Sequence, residues 1–220
     1  MDRRPIAARR LGVFREVSSW LAARNVSPNL ISVAGMVAGM LAGVCFAMTP
    51  LMPSGERALW AGGAALVLGR LLCNMLDGMV AIERGIASKL GELFNEIPDR
   101  VSDAATLIGF GFACGGDPFL GGVAAALAVF VAYVRAMGAI TTGLNDFRGP
   151  MAKQQRMFLV IVSALFLAAA PFSWRPEVAV WDHRLGLPSL VLVVICIGCV
   201  LTSLRRVSGT VRALGEGEHD

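Results

Sequence analysis

The chain's candidate chemistry is concentrated between residues 74 and 103, which read NMLDGMVAIERGIASKLGELFNEIPDRVSD. Asn74 and Asp77 lie three apart and share one helix face, while Asn95, Asp99 and Asp103 step along another helix at intervals of four. Two helices that present carboxylate and amide oxygens to each other make a site for a hard divalent cation, Mg²⁺ or Mn²⁺. Gly78 and Gly91 remove side chains beside those oxygens, so a phosphate-bearing ligand can approach the backbone closely. The plainer reading is a pair of solvated helix ends whose acids pair with Lys89 and Arg100. It is preferred for Glu92 and Glu96, and disfavoured for the group around Asp77 and Asp99.

A second group of charges lies further along. Tyr133-Val134-Arg135 falls within an apolar run, and GPMAKQQRM at 149–157 places Lys153 and Arg156 three apart at the mouth of the next one. Lys153 and Arg156 share a helix face and, with Arg135, could converge on an anion. Their plain alternative is that Lys153 and Arg156 are ordinary cytoplasmic anchors of a membrane helix. Arg135 sits several residues inside an apolar segment and needs a partner there.

Composition says what kind of element must hold these groups. Of 220 residues, 55% are hydrophobic and 16% charged, with a mean hydropathy of +0.65. A soluble domain is about a quarter charged, so this chain has too few charges to coat a water-facing globule of its size. The same composition excludes collagen-like, disordered and disulfide-framework classes. A multi-pass membrane protein remains.

A membrane span takes about 20 largely apolar residues. Six segments qualify: Leu30–Met48, Ala58–Leu76, Leu93–Cys114, Phe119–Gly143, Met157–Phe172 and Leu187–Leu204. The expected fold is therefore all-α, a six-helix membrane bundle over residues 28–204 between a leader (1–27) and a tail (205–220). No cleavable signal peptide is expected, because the leader is Arg-rich and its apolar residues are sparse. Within the leader, Val13, Phe14, Val17, Trp20 and Leu21 recur at helical spacing among Arg10, Arg15 and Arg24, which predicts an amphipathic helix along the membrane surface. Ser27-Pro28 then supplies an N-cap and a first-turn proline for the first span.

The arginines set the orientation. Arg3, Arg4, Arg9, Arg10, Arg15 and Arg24 in the leader lie on the same side as Arg84 and Lys89, as Arg148, Lys153 and Arg156, and as Arg205, Arg206 and Arg212 in the tail. The opposite connections carry Arg57, Arg175 and Arg184, with Trp174 and Trp181 in the longest of them. The positive-inside rule places both termini in the cytoplasm of a plasma (inner) membrane protein. Cys45, Cys73, Cys114, Cys196 and Cys199 sit in or beside apolar runs without metal-ligand spacing and read as packing residues. His183 and His219 are assigned no chemistry.

The polar stretch resembles the signature of the CDP-alcohol phosphotransferases (CDP-alcohol phosphatidyltransferases), D-x-x-D-G-x-x-A-R, eight residues, then G-x-x-x-D-x-x-x-D. Asp77-Gly78, Ala81, Gly91 and Asp99 match, with eight residues between Ile82 and Gly91. Asn74, Ile82 and Asn95 depart, standing where the pattern has aspartate, arginine and aspartate. The family's six-span plan with an N-terminal surface helix extends the resemblance over nearly the whole chain.

The resemblance implies a phospholipid-biosynthetic transferase that moves a phosphatidyl group from CDP-diacylglycerol to a polyol or polyol phosphate, releasing CMP with the help of Mg²⁺ or Mn²⁺. It makes Asp77 a metal ligand and Asp99 a metal ligand, the general base, or both. Asn74 and Asn95 would offer neutral carbonyl oxygens, and Gly78, Ala81 and Gly91 would line the CDP moiety. In the family the four aspartates hold two metal ions. Mg²⁺ is commonly held by one or two carboxylates plus substrate phosphates, so one ion is well served here. Two ions would be just balanced with substrate bound and weakly held without it, and metal binding assisted by substrate is expected. Asp103 is about one helical turn from Asp99 and cannot replace Asn95; it is expected behind the ligands, assisting the base. Arg84 lies on another face from Ile82, with a reach back to the phosphates as its alternative. In the phosphatidylglycerophosphate and inositol-phosphate branch, basic residues at the positions of Arg135, Lys153 and Arg156 bind the acceptor's phosphate. Membrane lipids are the expected surroundings, nucleic acid is not an expected partner, and relatives commonly form homodimers. The competing reading is a catalytically inactive relative that keeps the fold and binds CDP-lipid or anionic lipid. A small transporter is disfavoured, because no internal repeat is visible and the polar residues collect at one face of the bilayer.

Overall fold

A computed structural model of the chain describes residues 12–86, 89–143, 146–180 and 183–217. The expectations placed on Arg3, Arg4, Arg9, Arg10, Trp181 and His219, and on the side chains of Lys89, Glu92 and His183, lie outside what is described. Seven helices follow in order: α1 (Gly12–Ala23), α2 (Pro28–Ala47), α3 (Glu56–Glu83), α4 (Lys89–Gly111), α5 (Pro118–Thr142), α6 (Lys153–Ala169) and α7 (Leu187–Gly217). A short antiparallel hairpin, β1 (Glu177–Val180) and β2 (His183–Gly186), pairs Glu177 with Gly186 between α6 and α7. The pattern reading had only a loop there.

Helices α2 to α7 coincide with the six apolar segments. Neighbour packs on neighbour around a closed ring: α2 against α3 and α4, α4 against α5, α5 against α7, α7 against α6 and α6 against α3. Among the described residues, four helical stretches are long and apolar enough to cross a membrane: Pro28–Ala47, Pro53–Glu83, Pro118–Thr142 and Leu187–Gly215. Helix α4 falls short because it carries Lys89, Glu92, Glu96, Asp99, Arg100 and Asp103; α6 has only 17 residues. Leu30, Val33, Val37, Val44, Phe130, Ile140, Phe158 and Ile197 are exposed on the outside of the ring, an apolar jacket suited to lipid and unsuited to water.

Local sequence explains the helix ends. Pro28 opens α2 at its first turn; Ser27 stands at the N-cap position, but its hydroxyl makes no capping bond. Asp117 does cap α5, accepting from the Leu120 N–H at 2.8 Å. Gly143 ends α5 in the left-handed region, φ 70°. Helix α7 continues through the tail to Gly217, and Arg206, counted by sequence as a tail anchor, is buried: its Nε donates to the Arg148 carbonyl and its Nη1 to the Val131 carbonyl, each at 3.0 Å.

Close helix approach positions the site. On α2, a Cβ at Gly39 would meet Ser102 Cβ at 2.6 Å and one at Gly43 would meet the Ala105 carbonyl oxygen at 2.3 Å. Only glycine lets α2 sink this far against α4, as small residues do in membrane bundles. At the far end the core closes on Phe46, Trp60 and Phe110, with ring centroids 5.4 to 5.9 Å apart.

Candidate functional site

Helix α3 continues well past Asn74. At 1.5 Å per residue Asp77 stands roughly 32 Å from the start of the helix, about one hydrocarbon thickness. Arg70, Asn74 and Asp77 share a face at intervals of four and three. Across from them α4 presents Asn95, Asp99, Ser102 and Asp103, with Pro98 inside the helix removing one backbone N–H beside Asp99.

The side chains of the two helices join. Asn74 Nδ2 donates to Asn95 Oδ1 at 3.0 Å and to Asp99 Oδ2 at 2.9 Å. Asn95 Nδ2 lies 3.4 Å from Asp77 Oδ1, and Ser32 on α2 donates to Asp77 Oδ2 at 2.7 Å. The four positions that the signature singles out are thus one hydrogen-bonded group, and Asp77 is 3% exposed.

Three cations converge on the acids. Arg70 Nη2 reaches Asp99 Oδ1 at 3.1 Å and Asp103 Oδ1 at 2.5 Å, while its Nε donates to Ser102 Oγ at 3.0 Å. Lys153, the first residue of α6, pairs with Asp99 Oδ2. Arg156 Nη2 lies 3.2 Å from Asp103 Oδ2, and its Nη1 donates to the Met151 carbonyl at 3.0 Å. The loop before α6 holds Lys153 in place. Its Met151 N–H donates to Thr202 Oγ1 at 2.9 Å, and Asp146 accepts from the backbone and guanidinium of Arg148. Burial works to raise the Asp146 carboxyl, but the Arg148 hydrogen bonds outweigh it and hold the group below its usual range.

Arg135, Lys153 and Arg156 do not gather on one anion point, as the spacing suggested. Arg135 pairs with Glu96 and faces the Phe147 ring at 5.9 Å; Lys153 turns to Asp99, and Arg156, 1% exposed, is interior. Glu96 also pairs with Arg100, as the plainer reading had it. Arg84 turns away from the site, donating to the Asn25 and Val26 carbonyls at 3.3 and 2.9 Å. Gly78, Ala81 and Gly91 are half-buried, and Ile82 is exposed.

Arg70 and Ser32 were missed by the pattern reading. Arg70 was detectable: the rule that flagged Arg135, an ionisable residue inside an apolar run, applies to it equally. A lone serine one turn into a span carries no such signal.

The acids Asp77, Asp99 and Asp103 face the cations Arg70, Lys153 and Arg156, three against three. Among the described residues no three Asp, Glu, His or Cys side chains gather as a metal cluster. Asp77 and Asp99 are the two carboxylates among the signature positions, with the Asn74 and Asn95 amides beside them. Asn74 and Asn95 turn their amide nitrogens toward Asp99 and Asp77; with those amides rotated, the donor set Asp77, Asp99, Asn74 and Asn95 is all oxygen and drawn from two facing helices, which fits one hard divalent cation.

A family model described as CDP-alcohol phosphatidyltransferase matches residues 25–204. The phosphatidylinositol phosphate synthase of Mycolicibacterium smegmatis is 30% identical over 193 residues, which cover 83% of this chain and 77% of that protein. Two crystal structures of the Mycobacterium tuberculosis phosphatidylinositol phosphate synthase share the fold. The one with CDP-DAG bound has a TM-score of 0.69 at 19% identity and covers 91% of this chain and 94% of that one. The one in complex with manganese and citrate has a TM-score of 0.68 at 20% identity and covers 90% and 88%.

Proposed function

The chain belongs to the CDP-alcohol phosphatidyltransferase family, and on that premise we propose that it transfers a phosphatidyl group from CDP-diacylglycerol to a polyol or polyol phosphate, releasing CMP. The observation that supports this reading is the hydrogen-bonded group of Asn74, Asp77, Asn95 and Asp99 across α3 and α4.

The acceptor hydroxyl oxygen attacks the phosphorus that carries the diacylglycerol. The bond from that phosphorus to the bridging oxygen breaks, and CMP leaves with the electron pair. Asp99 takes the hydroxyl proton. Lys153 and Arg70 aim the Asp99 carboxylate, and Ser32 fixes that of Asp77. Asp77 and Asp99, with the amide oxygens of Asn74 and Asn95, would hold a Mg²⁺ or Mn²⁺ ion, which would supply charge neutralisation for the pyrophosphate and the departing CMP. Gly78, Ala81 and Gly91 leave room for the CDP moiety. Arg135 meets the acceptor at the mouth of the site, where an acceptor phosphate competes with Glu96 for it; Lys153 contributes from the other side. Arg156 acts through Asp103, which stands behind Asp99.

The protein is an integral membrane protein. Six crossings, α1 lying along the surface and both termini in the cytoplasm complete the reading. Support comes from the basic residues on one side, from Val13 and Trp20 exposed on α1, and from the length of α3. The site then opens at the cytoplasmic boundary, where nucleotide and acceptor arrive from water and the acyl chains stay in the bilayer. Residues 1–27 form the leader and 205–220 the tail of this domain, and a homodimer is its proposed assembly.

One observation favours a second reading, an inactive relative that binds CDP-lipid or anionic lipid: Asp99 is already paired with two cations, and Asn74, Ile82 and Asn95 stand where the pattern has charged groups. Purified protein given CDP-diacylglycerol, Mn²⁺ and radiolabelled inositol, inositol phosphate, glycerol or glycerol phosphate separates the two. CMP release matched by labelled lipid with one acceptor is expected; none across the panel favours the inactive relative.

A further inference from the structure

We infer that Arg70 is a cation built into the site, and that because of it the site takes a single divalent ion, which enters together with the nucleotide. The inference rests on the proposed reaction and deepens it by fixing the metal requirement.

Arg70 is 1% exposed and sits in the middle of α3, one turn before Asn74. Its Nη2 lies between Asp99 Oδ1 at 3.1 Å and Asp103 Oδ1 at 2.5 Å, so its charge falls where a cation between those acids would sit. Ser102 holds the Nε. The Nη1 is buried and has no hydrogen-bond partner among the described residues, which leaves one donor of this buried cation for an incoming oxygen.

Charge counting gives the stoichiometry. The three carboxylates and the three cations that face them sum to zero, the neighbouring Glu96, Arg100 and Arg135 add one positive charge, and Asn74 and Asn95 add none. One divalent ion brings two positive charges into a poorly solvated place, which is costly without a partner. The pyrophosphate of a CDP compound brings about two negative charges at neutral pH, so ion and nucleotide cancel each other. A second ion has nothing left to cancel it, because Asp99 is held by Arg70 and Lys153 and Asp103 by Arg70 and Arg156. Arg70 is thus a positioning residue that acts through Asp99 and Asp103.

The test is Mn²⁺ binding to the full chain in lipid nanodiscs, read by electron paramagnetic resonance with and without CDP-diacylglycerol in the bilayer. The expected result is one Mn²⁺ per chain, with the spectrum of an isolated ion, bound at least tenfold more tightly when CDP-diacylglycerol is present. Two ions per chain, a spin-coupled pair, or binding indifferent to CDP-diacylglycerol would overturn the inference. Asn95→Asp, which keeps Arg70, adds one negative charge; it should tighten Mn²⁺ binding without CDP-diacylglycerol and still hold one ion. Arg70→Met in that background should admit a second ion and give the coupled signal, whereas Arg70→Lys should not. If the Met variant does not fold, wild type, Asn95→Asp and Arg70→Lys still decide: a second ion in any of them contradicts the inference. CMP release is read separately. One nucleotide-linked ion without transfer defeats the proposed reaction alone; transfer with two ions defeats this inference alone.

Discussion

The two ends of the bundle each bury a carboxylate beside an arginine, and they use the pairing differently. At one end Glu56 is held locally: its Oε1 accepts from Trp60 Nε1 at 2.9 Å and lies 2.6 Å from Arg175 Nη1. Arg175 also donates to the Leu167 carbonyl at 3.0 Å and stacks on Phe172, which ties the segment after α6 to the start of α3. Beneath it lie the aromatic rings of Phe46, Trp60 and Phe110. At the other end partners are shared. Arg70 serves Asp99 and Asp103, Asp99 takes Arg70 and Lys153, and Asp103 takes Arg70 and Arg156. Neutrality there belongs to the group and not to any pair, so a member can give up one contact to a ligand and keep another. The closed pair fastens a fold; the shared network can accept a substrate.

The contrast can be broken from either side. The largest effect is expected for Asp99→Asn, which removes the proton acceptor and should lower transfer by about a thousandfold, measured as CMP release below the variant's own unfolding temperature, because it also takes a carboxylate from Arg70 and Lys153. Next comes Arg156→Met. It strips one of two cations from buried Asp103 and should cost about 3 kcal/mol of stability, read by chemical denaturation in detergent. Glu56→Gln keeps the Trp60 hydrogen bond and loses the charge that meets Arg175. A drop of about 1–2 kcal/mol is expected, with KM for nucleotide and Mn²⁺ affinity unaltered; a change in either would erase the distinction between the two ends. The smallest effect is set at the mouth. Glu96→Gln releases Arg135 and Arg100 from their shared acid, so KM for a phosphorylated acceptor should fall a few-fold and kcat should stay near its starting value.

Much of this was legible in the chain, for reasons tied to periodicity. Each of the six apolar runs became a helix of the ring, and among the described residues four helical stretches are long and apolar enough to cross a membrane. Asn74, Asp77, Asn95 and Asp99 were found because fixed spacing on two helices survives folding unchanged. Partner choice was not legible. Arg156 reads in the sequence as an acceptor-binding cation or, alternatively, an anchor at the mouth of α6, yet it pairs with Asp103, and Arg206 reads as part of a solvated tail, yet it donates to a loop and a helix carbonyl. Whether a basic residue near a helix end faces water or the interior depends on which helix lies beside it, and a single chain does not state that. Arg70 stands four residues before the signature, and its one mark in the sequence is an ionisable side chain within an apolar run. The hairpin at 177–186 escaped because four-residue strands leave almost no pattern.

The central claim is that Asp77 and Asp99, on facing helices, act on one metal-bound nucleotide. Manganese-dependent CMP release from CDP-diacylglycerol, compared between wild type and Asp77→Asn with folding checked in parallel, tests it most directly. The account predicts release by wild type that rises with Mn²⁺ and falls at least a hundredfold in the folded variant. Release by Asp77→Asn at the wild-type rate and Mn²⁺ requirement would contradict it.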